Sequence, residues 1–461
     1  MPGRKRRYHR PTRQPEDGSS TTWSETVLDI DRISTGGDGV GRSDGLVVFV
    51  PRTAPGDRAR VIYSSHGRFG RGRVVELLEA GSGRVEPRCP HYTADRCGGC
   101  QLQHLSTDLQ RETRCQIVKD SIERIAGRSI PLPGLVSGLE WEYRSRLTLT
   151  LERTARGWYG GLHPHDNAAE VFPLERCDIT RPVLVGAWNS LKPLLNDPAF
   201  NLDASGGLRL GLRETQDHEN SAGPSGQGVV LLFQGGMRWP GFEAWATLAH
   251  ECLQDLKAVW WESRSGARES VAFVPESSDS ALAFAQVNPR MATLLRASVL
   301  EAVMGFKPRF VVDGYSGSGI LSAQLARAGV EVLAVEADIV GARQAVERVE
   351  RAGPEAAALV RVLSQRMEDA VGSVKDVPDV IVLNPPRRGV DARVTAWLEL
   401  MAVLGARAVV YVSCDPATLA RDLKRMPSWQ IVSVECFDMF PQTAHVETLC
   451  ILKSAPEGET A

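Results

Sequence analysis

With 461 residues, the chain is long enough for two or three domains, each with a sizeable core. Its 43% apolar and 24% charged residues match ordinary soluble proteins, and a net charge of -2 does not announce nucleic-acid binding, which must then rest on local patches. No apolar run approaches the ~18 residues of a membrane span, and the N-terminus lacks a signal-peptide hydrophobic region.

The cysteine content indicates the compartment. Nine cysteines, an odd number clustered unevenly, indicate metal-binding or catalytic thiols in a reducing cytosol rather than a disulfide framework. We therefore expect a cytoplasmic protein, with a monomer as the default oligomeric state.

The N-terminal residues 1–22 are polar and basic, which predicts a disordered tail. A solvated arm and an arm that attracts an RNA backbone explain this composition equally well.

From residue 23 to 80, short apolar runs separated by glycine turns predict a small β-barrel, with strands at 26–33, 46–50, 58–63 and 72–78. Arg68, Arg71 and Arg73 surround Phe69, which suits a surface that tracks a nucleic-acid backbone and stacks on a base. The runs Asp-Gly-Val-Gly-Arg and Val-Val-Phe-Val-Pro resemble the TRAM domain, an oligonucleotide-binding-type (OB-type) barrel attached to RNA-modifying enzymes.

Three cysteines, Cys89, Cys97 and Cys100, lie within twelve residues, in a loop that can wrap its thiolates around one ion or cluster. The fourth ligand must come from elsewhere, and Cys177 is a better candidate than Cys115, which lies in a helical run. From spacing alone, zinc and an iron–sulfur cluster are both compatible with this set, and zinc is the commoner occupant. The spacing does not suit the three-cysteine loop of radical S-adenosylmethionine enzymes.

Residues 81–282 form a mixed central domain in this interpretation. Alternating residues after Trp141 and a glycine-rich turn near Gly157 predict a β-hairpin there, and the stretch 214–227 is predicted to be a surface loop. Arg144 and Arg146 face either nucleic acid or, more commonly for strand arginines, solvent.

A nucleoside-binding pattern begins at residue 283. Strand 310–313 is followed by a glycine loop, a helix at 320–328 and a second strand that ends in Glu336. The glycines permit close approach of a ligand at the helix N-terminus, and an acid at the second strand end can accept hydrogen bonds from ribose hydroxyls. This arrangement favours S-adenosylmethionine over a dinucleotide. Upstream, Gln286 and Asn288 either cap the next helix or hold the polar end of a cofactor.

Three further segments end strands of the same sheet. Strand 380–383 leads into Asn384-Pro385-Pro386-Arg387, and strand 408–412 leads into Cys414 at the carboxyl edge, where open α/β sheets place their chemistry. Glu447 precedes the last strand, 448–452; taken alone, it is interpreted as a surface hairpin carboxylate.

Together, Ser-Cys-Asp-Pro at 413–416, Phe-Pro-x-Thr-x-His-Val-Glu at 440–447, Asn-Pro-Pro-Arg-x-Gly at 384–389 and Gln-Val-Asn at 286–288 resemble S-adenosylmethionine-dependent RNA 5-methyluridine methyltransferases. The resemblance covers about residues 24 to 453. It implies an α/β fold: a Rossmann-like catalytic domain with a mostly parallel sheet at 283–461, the OB-type barrel at 23–80, and an α+β central domain at 81–282.

The same resemblance assigns roles to individual residues. Cys414 is the nucleophile that adds to carbon 6 of uracil, and Glu447 is the general base that removes the carbon-5 proton. Gln286, Tyr315 and Glu336 contact S-adenosylmethionine, and Asn384 lies at its reactive end. Cys89, Cys97, Cys100 and Cys177 hold a [4Fe-4S] cluster, which reverses the preference for zinc. The expected substrate is RNA, with 23S rRNA favoured and a tRNA T-loop uridine second.

Two departures from the family pattern stand out. The first cysteine gap is longer than usual, which we interpret as a loop insertion at 93–96, and Asn384 stands where most members have Asp. Two alternatives remain open at this point: an amino-group methyltransferase that uses Asn384-Pro385-Pro386 and needs no cysteine, and a non-catalytic RNA-binding protein.

Overall fold

The computed structural model describes residues 23–202, 207–215, 228–235, 237–274 and 286–454. The predicted tail 1–22 and most of the predicted surface loop 214–227 lie outside the described residues. The chain divides into two compact units, one ending at Ser82 and the other running from Gly83 onward with Thr35–Gly37. In the described part of the chain, no helix has the length and apolar character needed to cross a membrane.

Six strands build the first unit: β1 (Trp23–Asp29), β2 (Arg32–Ile33), β3 (Gly39–Ser43), β4 (Leu46–Val50), β5 (Arg58–Ser65) and β6 (Phe69–Glu79). They form one sheet in the order β1-β5-β6-β4-β3-β2, around a small core that includes Leu28 and Val48. The predicted strand 26–33 is two strands, because β1 pairs with β5 whereas β2 pairs with β3.

A seven-stranded sheet forms the central part of the second unit, in the order β10-β9-β8-β11-β12-β13-β14. This part of the chain contains α1 (Pro90–Thr93), α2 (Thr107–Ser121), β7 (Gly134–Val136), β8 (Arg146–Thr154), β9 (Gly157–Leu162), β10 (Phe172–Pro173), α3 (Pro182–Leu191), β11 (Leu208–Glu214), β12 (Val229–Gln234), α4 (Phe242–Cys252), β13 (Leu256–Glu262) and β14 (Arg268–Ala272), and of its strands only β7 lies outside the seven-stranded sheet. Trp188 of α3 and Trp245 of α4 pack on the leucine face of β8 and β11. The hairpin expected near Gly157 is confirmed as β8–β9.

An eight-stranded sheet completes the second unit, in the order β17-β16-β15-β18-β19-β21-β20-β7. Its remaining elements are α5 (Pro289–Gly305), β15 (Phe310–Gly314), α6 (Ile320–Arg327), β16 (Glu331–Glu336), α7 (Ile339–Arg351), α8 (Pro354–Ala358), β17 (Val360–Ser364), α9 (Met367–Ala370), β18 (Val380–Leu383), α10 (Ala392–Val403), β19 (Ala408–Ser413), α11 (Pro416–Lys424), β20 (Trp429–Phe437) and β21 (Glu447–Ser454). Strands β15 to β19 are parallel, and β21 runs antiparallel between β19 and β20. This architecture confirms the predicted fold class.

Both faces of this sheet are covered. Along β19, Val409 and Tyr411 enter one core, whereas Ala408, Val410 and Val412 enter the other. A strand buried on both faces reads as a continuous apolar run, which is why β19 is recognisable from sequence.

Strand β7 comes from the predicted central domain but joins the eight-stranded sheet. It pairs in parallel with β20, with Leu135 beside Cys436. Three residues without a periodic pattern carry too little sequence signal to predict such a distant pairing.

Asp379 connects strands at the amino-terminal edge of the eight-stranded sheet. Its carboxylate accepts hydrogen bonds from the backbone amides of Arg309 (2.7 Å) and Phe310 (3.1 Å) and from the Arg407 guanidinium (2.9 Å). We expect Asp379→Ala to lower the free energy of unfolding by about 1–3 kcal/mol, because two backbone donors lose their acceptor. Urea unfolding measures this; exposed Asp376→Ala is the control, and equal effects of both would contradict the assignment.

Candidate active site

The candidate site lies at the carboxyl edge of the parallel strands. Tyr315, Glu336, Asn384 and Cys414 follow or end β15, β16, β18 and β19 respectively. Since parallel strands present their carboxyl ends at one edge, four separate sequence segments converge there.

Cys414 lies in the turn between β19 and α11. Asp415 caps α11 by accepting a hydrogen bond from the Thr418 amide (2.9 Å), and the Ser413 hydroxyl bonds the Asp415 backbone on both its amide (3.2 Å) and its carbonyl (3.0 Å). These contacts fix the turn on both sides of Cys414, whose side chain is half-buried rather than enclosed.

Glu447 lies across from this turn. Strand β21 pairs antiparallel with β19 as far as Ser413 opposite Thr448, so Cys414 and Glu447 are the residues that adjoin this last pair. Glu447 is only 2% exposed, and within the described residues its Oε2 has no hydrogen-bond partner. The interpretation as a surface carboxylate is therefore wrong: Glu447 begins β21, where it pairs with Phe437 of β20, and its side chain is buried.

The two acidic groups influence each other. Burial raises the pKa of Glu447 to about 7, against the opposing positive charge of Arg387. Burial and the neighbouring Glu447 charge raise the pKa of Cys414 to about 11, again opposed by Arg387. Arg387 is thus the cation shared by both groups, and it acts with burial to lower the pKa of His445.

Glu336 organises the predicted cofactor loop. Its Oε2 accepts a hydrogen bond from the Gly317 amide (2.8 Å), and its Oε1 accepts one from the Asp338 amide (2.7 Å). Gly319 adopts a φ of 71°, and a Cβ there would lie 2.7 Å from the Ala345 Cβ, so close packing requires glycine. The loop is held against α7 with its amides near the start of α6, as a nucleoside site needs.

Other polar groups line the same loop. Tyr315 has a left-handed φ of 62°, and burial raises the pKa of its phenol. The Asp313 carboxyl is buried, accepts a hydrogen bond from the Ser322 hydroxyl (2.6 Å) and has its pKa raised to about 6 by burial. The Ser316 hydroxyl is buried and has no partner within the described part of the chain.

The segment after β18 carries Asn384, whose side chain is exposed and whose backbone amide bonds the Gly314 carbonyl (3.3 Å). A residue missed by sequence reasoning, Asp422 of α11, anchors the far end of this segment. Its Oδ2 accepts hydrogen bonds from the Val390 amide and the Tyr411 hydroxyl, both at 2.9 Å. Charged residues on an amphipathic helix are usually solvated, so the sequence held no signal for this buried role.

Gln286 is half-buried at the start of the segment that enters α5. The Val287 carbonyl next to it accepts hydrogen bonds from the Ser145 amide (2.8 Å) and hydroxyl (3.1 Å). Asn288 caps α5 through the Met291 amide (3.3 Å), as one of the two predicted roles requires.

The four predicted cysteine ligands line one cavity of about 150 Å³, whereas Cys115 lies in the core beneath α2. The Gly99 amide donates to the Cys97 sulfur (3.4 Å), and burial raises the pKa of Cys89 and of Cys100. Within the described residues, no group of three or more His, Cys, Asp or Glu side chains is arranged to hold a single metal ion.

Within the first unit, Arg71 lies beside Phe69, whereas base stacking on this surface stays a prediction. The Phe69 ring stacks with His66 (centroids 5.7 Å apart), and the Arg71 guanidinium lies 5.9 Å from the ring centroid. In the second unit, burial and the nearby Arg213 lower the pKa of Arg146 to about 10.

Residues 277–455 match the family model described as tRNA (uracil-5-)-methyltransferase. A protein of Thermosynechococcus vestitus named as an uncharacterized RNA methyltransferase is 32% identical, over 93% of this chain and 98% of its own length. The 23S rRNA (uracil(1939)-C(5))-methyltransferase of Thiobacillus denitrificans is 28% identical, over 93% of this chain and 99% of its own length.

Among solved structures, the Pyrococcus abyssi tRNA (uracil-54, C5)-methyltransferase in complex with S-adenosyl-L-homocysteine matches with a TM-score of 0.66 and 24% identity, over 92% of this chain and 99% of that one. This likeness supports the fold. The similarities along nearly the whole chain confirm the resemblance stated from sequence: the chain belongs to the family of S-adenosylmethionine-dependent RNA (uracil-5-)-methyltransferases.

Proposed function

We propose that this RNA (uracil-5-)-methyltransferase works through a covalent adduct between Cys414 and carbon 6 of a target uridine, with Glu447 as the general base. The observation that carries the proposal is that Cys414 and Glu447 adjoin the last β19–β21 pair, close enough for the Glu447 charge to act on the thiol. One buried oxygen of that carboxylate has no hydrogen-bond partner among the described residues. An unpartnered buried carboxylate is costly, and a pKa of about 7 is suited to proton abstraction near neutral pH.

The residues act in sequence. The Cys414 thiolate adds to carbon 6, and the electrons of the 5,6 double bond shift towards carbon 5 and the oxygen on carbon 4 to give an enolate. S-adenosylmethionine would supply the methyl group, which carbon 5 takes up as the bond from that methyl to the sulfonium sulfur breaks and S-adenosylhomocysteine leaves. Glu447 then removes the proton from carbon 5, the double bond re-forms, and the Cys414 sulfur leaves as the product is released. Arg387, whose charge reaches both groups, favours the thiolate and the enolate oxygen.

The cofactor fits the loop that Glu336 holds. The acid at the end of β16 retains acceptor capacity for ribose hydroxyls beyond its two backbone amides, and the unpartnered Ser316 hydroxyl offers a further polar contact. Gln286, Tyr315 and Asn384 complete the proposed set from three other segments.

The proposed target is a uridine in 23S rRNA, with tRNA second. The Thiobacillus denitrificans relative, which is named for a 23S rRNA uracil, supports this order. A stacked uridine cannot receive the sulfur at carbon 6, so the target must be extruded or lie in a loop. The Phe69 surface of the first unit, and Arg144 and Arg146, are the proposed RNA contacts. The amino-group alternative is weakened, because Arg387 occupies the position that is aromatic in the Asn-Pro-Pro loop of amino-group methyltransferases.

Cys89, Cys97, Cys100 and Cys177 are proposed to hold a [4Fe-4S] cluster. The support for this proposal is that the four thiols line one cavity, as the donor set of such a cluster requires. The Gly99 amide bonded to the Cys97 sulfur is the kind of contact that stabilises a ligating thiolate.

The pH dependence of adduct resolution tests the base. Glu447 accepts a proton only when ionised, and its pKa is raised to about 7, so the rate should fall about tenfold per pH unit below 7 and level off above it. Single-turnover rates of adduct decay from about pH 5.5 to about pH 9 measure this. A rate independent of pH across this range would contradict the assignment.

Substitution separates the two residues. Cys414→Ala should abolish both adduct formation and methylation, whereas Glu447→Gln should form the adduct and accumulate it, because nothing removes the carbon-5 proton. Gel shift on denaturing gels and tritium transfer from labelled cofactor give the two readouts. At pH 8, Glu447→Gln should unfold at no lower temperature than the parent, since it removes a buried charge. Normal turnover by Glu447→Gln would exclude it as the base.

The cluster has its own test. Protein purified without air should be brown and contain about four iron and four sulfide ions per chain, and Cys177→Ser should lose most of both. Cys252→Ser, at an exposed position at the end of α4, should retain them. A colourless parent protein that contains zinc would overturn the assignment.

A further inference from the structure

The loop 438–446 joins β20 to β21 and fixes the point at which Glu447 enters its strand. Asp438, Gln442 and Thr443 are 1%, 3% and 4% exposed. Gln442 has a left-handed φ of 68°, which is costly for a residue with a side chain. A buried loop in such a conformation persists only if its backbone groups find partners.

Three successive carbonyls of the loop find partners in residues that precede the cofactor-binding region. The Tyr143 hydroxyl donates to the Pro441 carbonyl (2.9 Å), and the amides of Gln101 and Leu102 donate to the Gln442 carbonyl at 3.1 and 3.0 Å. Arg114 Nη1 donates to the Thr443 carbonyl (3.1 Å). The conformation of the loop is therefore set from outside its own hairpin.

Helix α2 contributes further hydrogen bonds to this loop. The Gln110 side chain donates from Nε2 to Gln442 Oε1 (2.9 Å) and accepts at Oε1 from the Gln442 amide (3.2 Å). One turn later, Arg114 Nη2 donates to Asp438 Oδ2 (3.0 Å), with both side chains at most 2% exposed. Residues four apart share one helix face, so α2 holds the loop at its start, Asp438, and near its middle, Gln442.

The contacts of the loop 438–446 also connect it to the cysteine site. Gln101 and Leu102 immediately follow Cys100, and Tyr143 packs in one small core with Cys89 and Cys100. The cysteine loop therefore reaches the Glu447 hairpin through two amides and one phenol.

We propose that Gln110, Arg114 and the cysteine loop are positioning elements that hold Glu447 over carbon 5, and that they govern the resolution of the adduct rather than its formation. This proposal rests on the proposed function. Within the described residues, the side-chain hydrogen bonds of Gln110 and Arg114 end on Leu105 and on this loop. Neither side chain makes a hydrogen bond to the turn that carries Cys414, so attack by the Cys414 sulfur should not depend on them.

The test uses Gln110→Leu in the full chain, with Gln116→Leu on the same helix as control, since within the described residues the exposed Gln116 side chain donates only to the half-buried Asp120 carboxylate. In hydrogen exchange without RNA, the Gln442 amide of Gln110→Leu should exchange about tenfold or more faster, with β19 unchanged. In single turnovers, adduct formation should stay within about twofold of the parent, whereas resolution should slow about tenfold, so that adduct accumulates. The control should match the parent in all three.

A second variant guards against misfolding. Arg114→Lys keeps a positive charge beside Asp438, but its ammonium group cannot donate to the Thr443 carbonyl as well. It should slow resolution selectively, by a smaller factor than Gln110→Leu does. For the cysteine arm, Cys100→Ser should speed exchange of the Gln442 and Thr443 amides and slow resolution, with no larger effect on adduct formation than Gln110→Leu has.

The outcomes separate cleanly. Equal slowing of formation and resolution in Gln110→Leu, or unchanged resolution despite faster exchange, overturns the positioning role. Absence of any adduct with the parent protein contradicts the proposed function instead. The exchange measurement then still reports whether Gln110 holds the loop 438–446.

Discussion

The structure depends on the antiparallel pairing of β21 with β19. In that register Thr448, which follows the buried Glu447, pairs with Ser413, which precedes the Cys414 thiol at the edge where the cofactor loop ends. Burying a carboxylate without a full set of hydrogen bonds is unfavourable, and the fold tolerates it here with the shared cation Arg387 as its charge compensation. The cost is understandable if the free oxygen is the one that receives a proton during the reaction.

The two acidic groups oppose each other, because each negative charge makes the second harder to form. In the proposed cycle the charges are used one after the other. The thiolate is consumed when sulfur bonds to carbon 6, and only afterwards does Glu447 need its charge to take the carbon-5 proton. Sequential use lets one cation, Arg387, serve both steps, and it accounts for a cysteine whose pKa is raised in the resting site. RNA binding and enolate formation must therefore supply part of the drive for addition.

Sequence alone predicted those parts that carry local signals. Strand β18, the glycine loop before α6, the acid ending β16 and the thiol after β19 follow from apolar runs and their breaks. The burial of Glu447 did not, because a short hairpin segment does not reveal its strand partner. Asp422, the β7–β20 pair and the Gln110–Gln442 contact were also missed: their partners lie up to 332 residues apart, and no periodic pattern records such contacts. The site residues remain predictions, whereas the fold and the family are confirmed.

The most direct measurement maps the covalent bond itself. RNA containing 5-fluorouridine presents fluorine where Glu447 would remove a proton, so after methyl transfer the adduct cannot resolve. Protein incubated with this RNA and S-adenosylmethionine, then digested with trypsin and nuclease, should give one modified peptide by mass spectrometry. The account predicts that the peptide spans 408–421, with a methylated 5-fluorouridine on Cys414. A nucleotide attached to any other residue, or none attached at all while methylation of ordinary RNA proceeds, would contradict it.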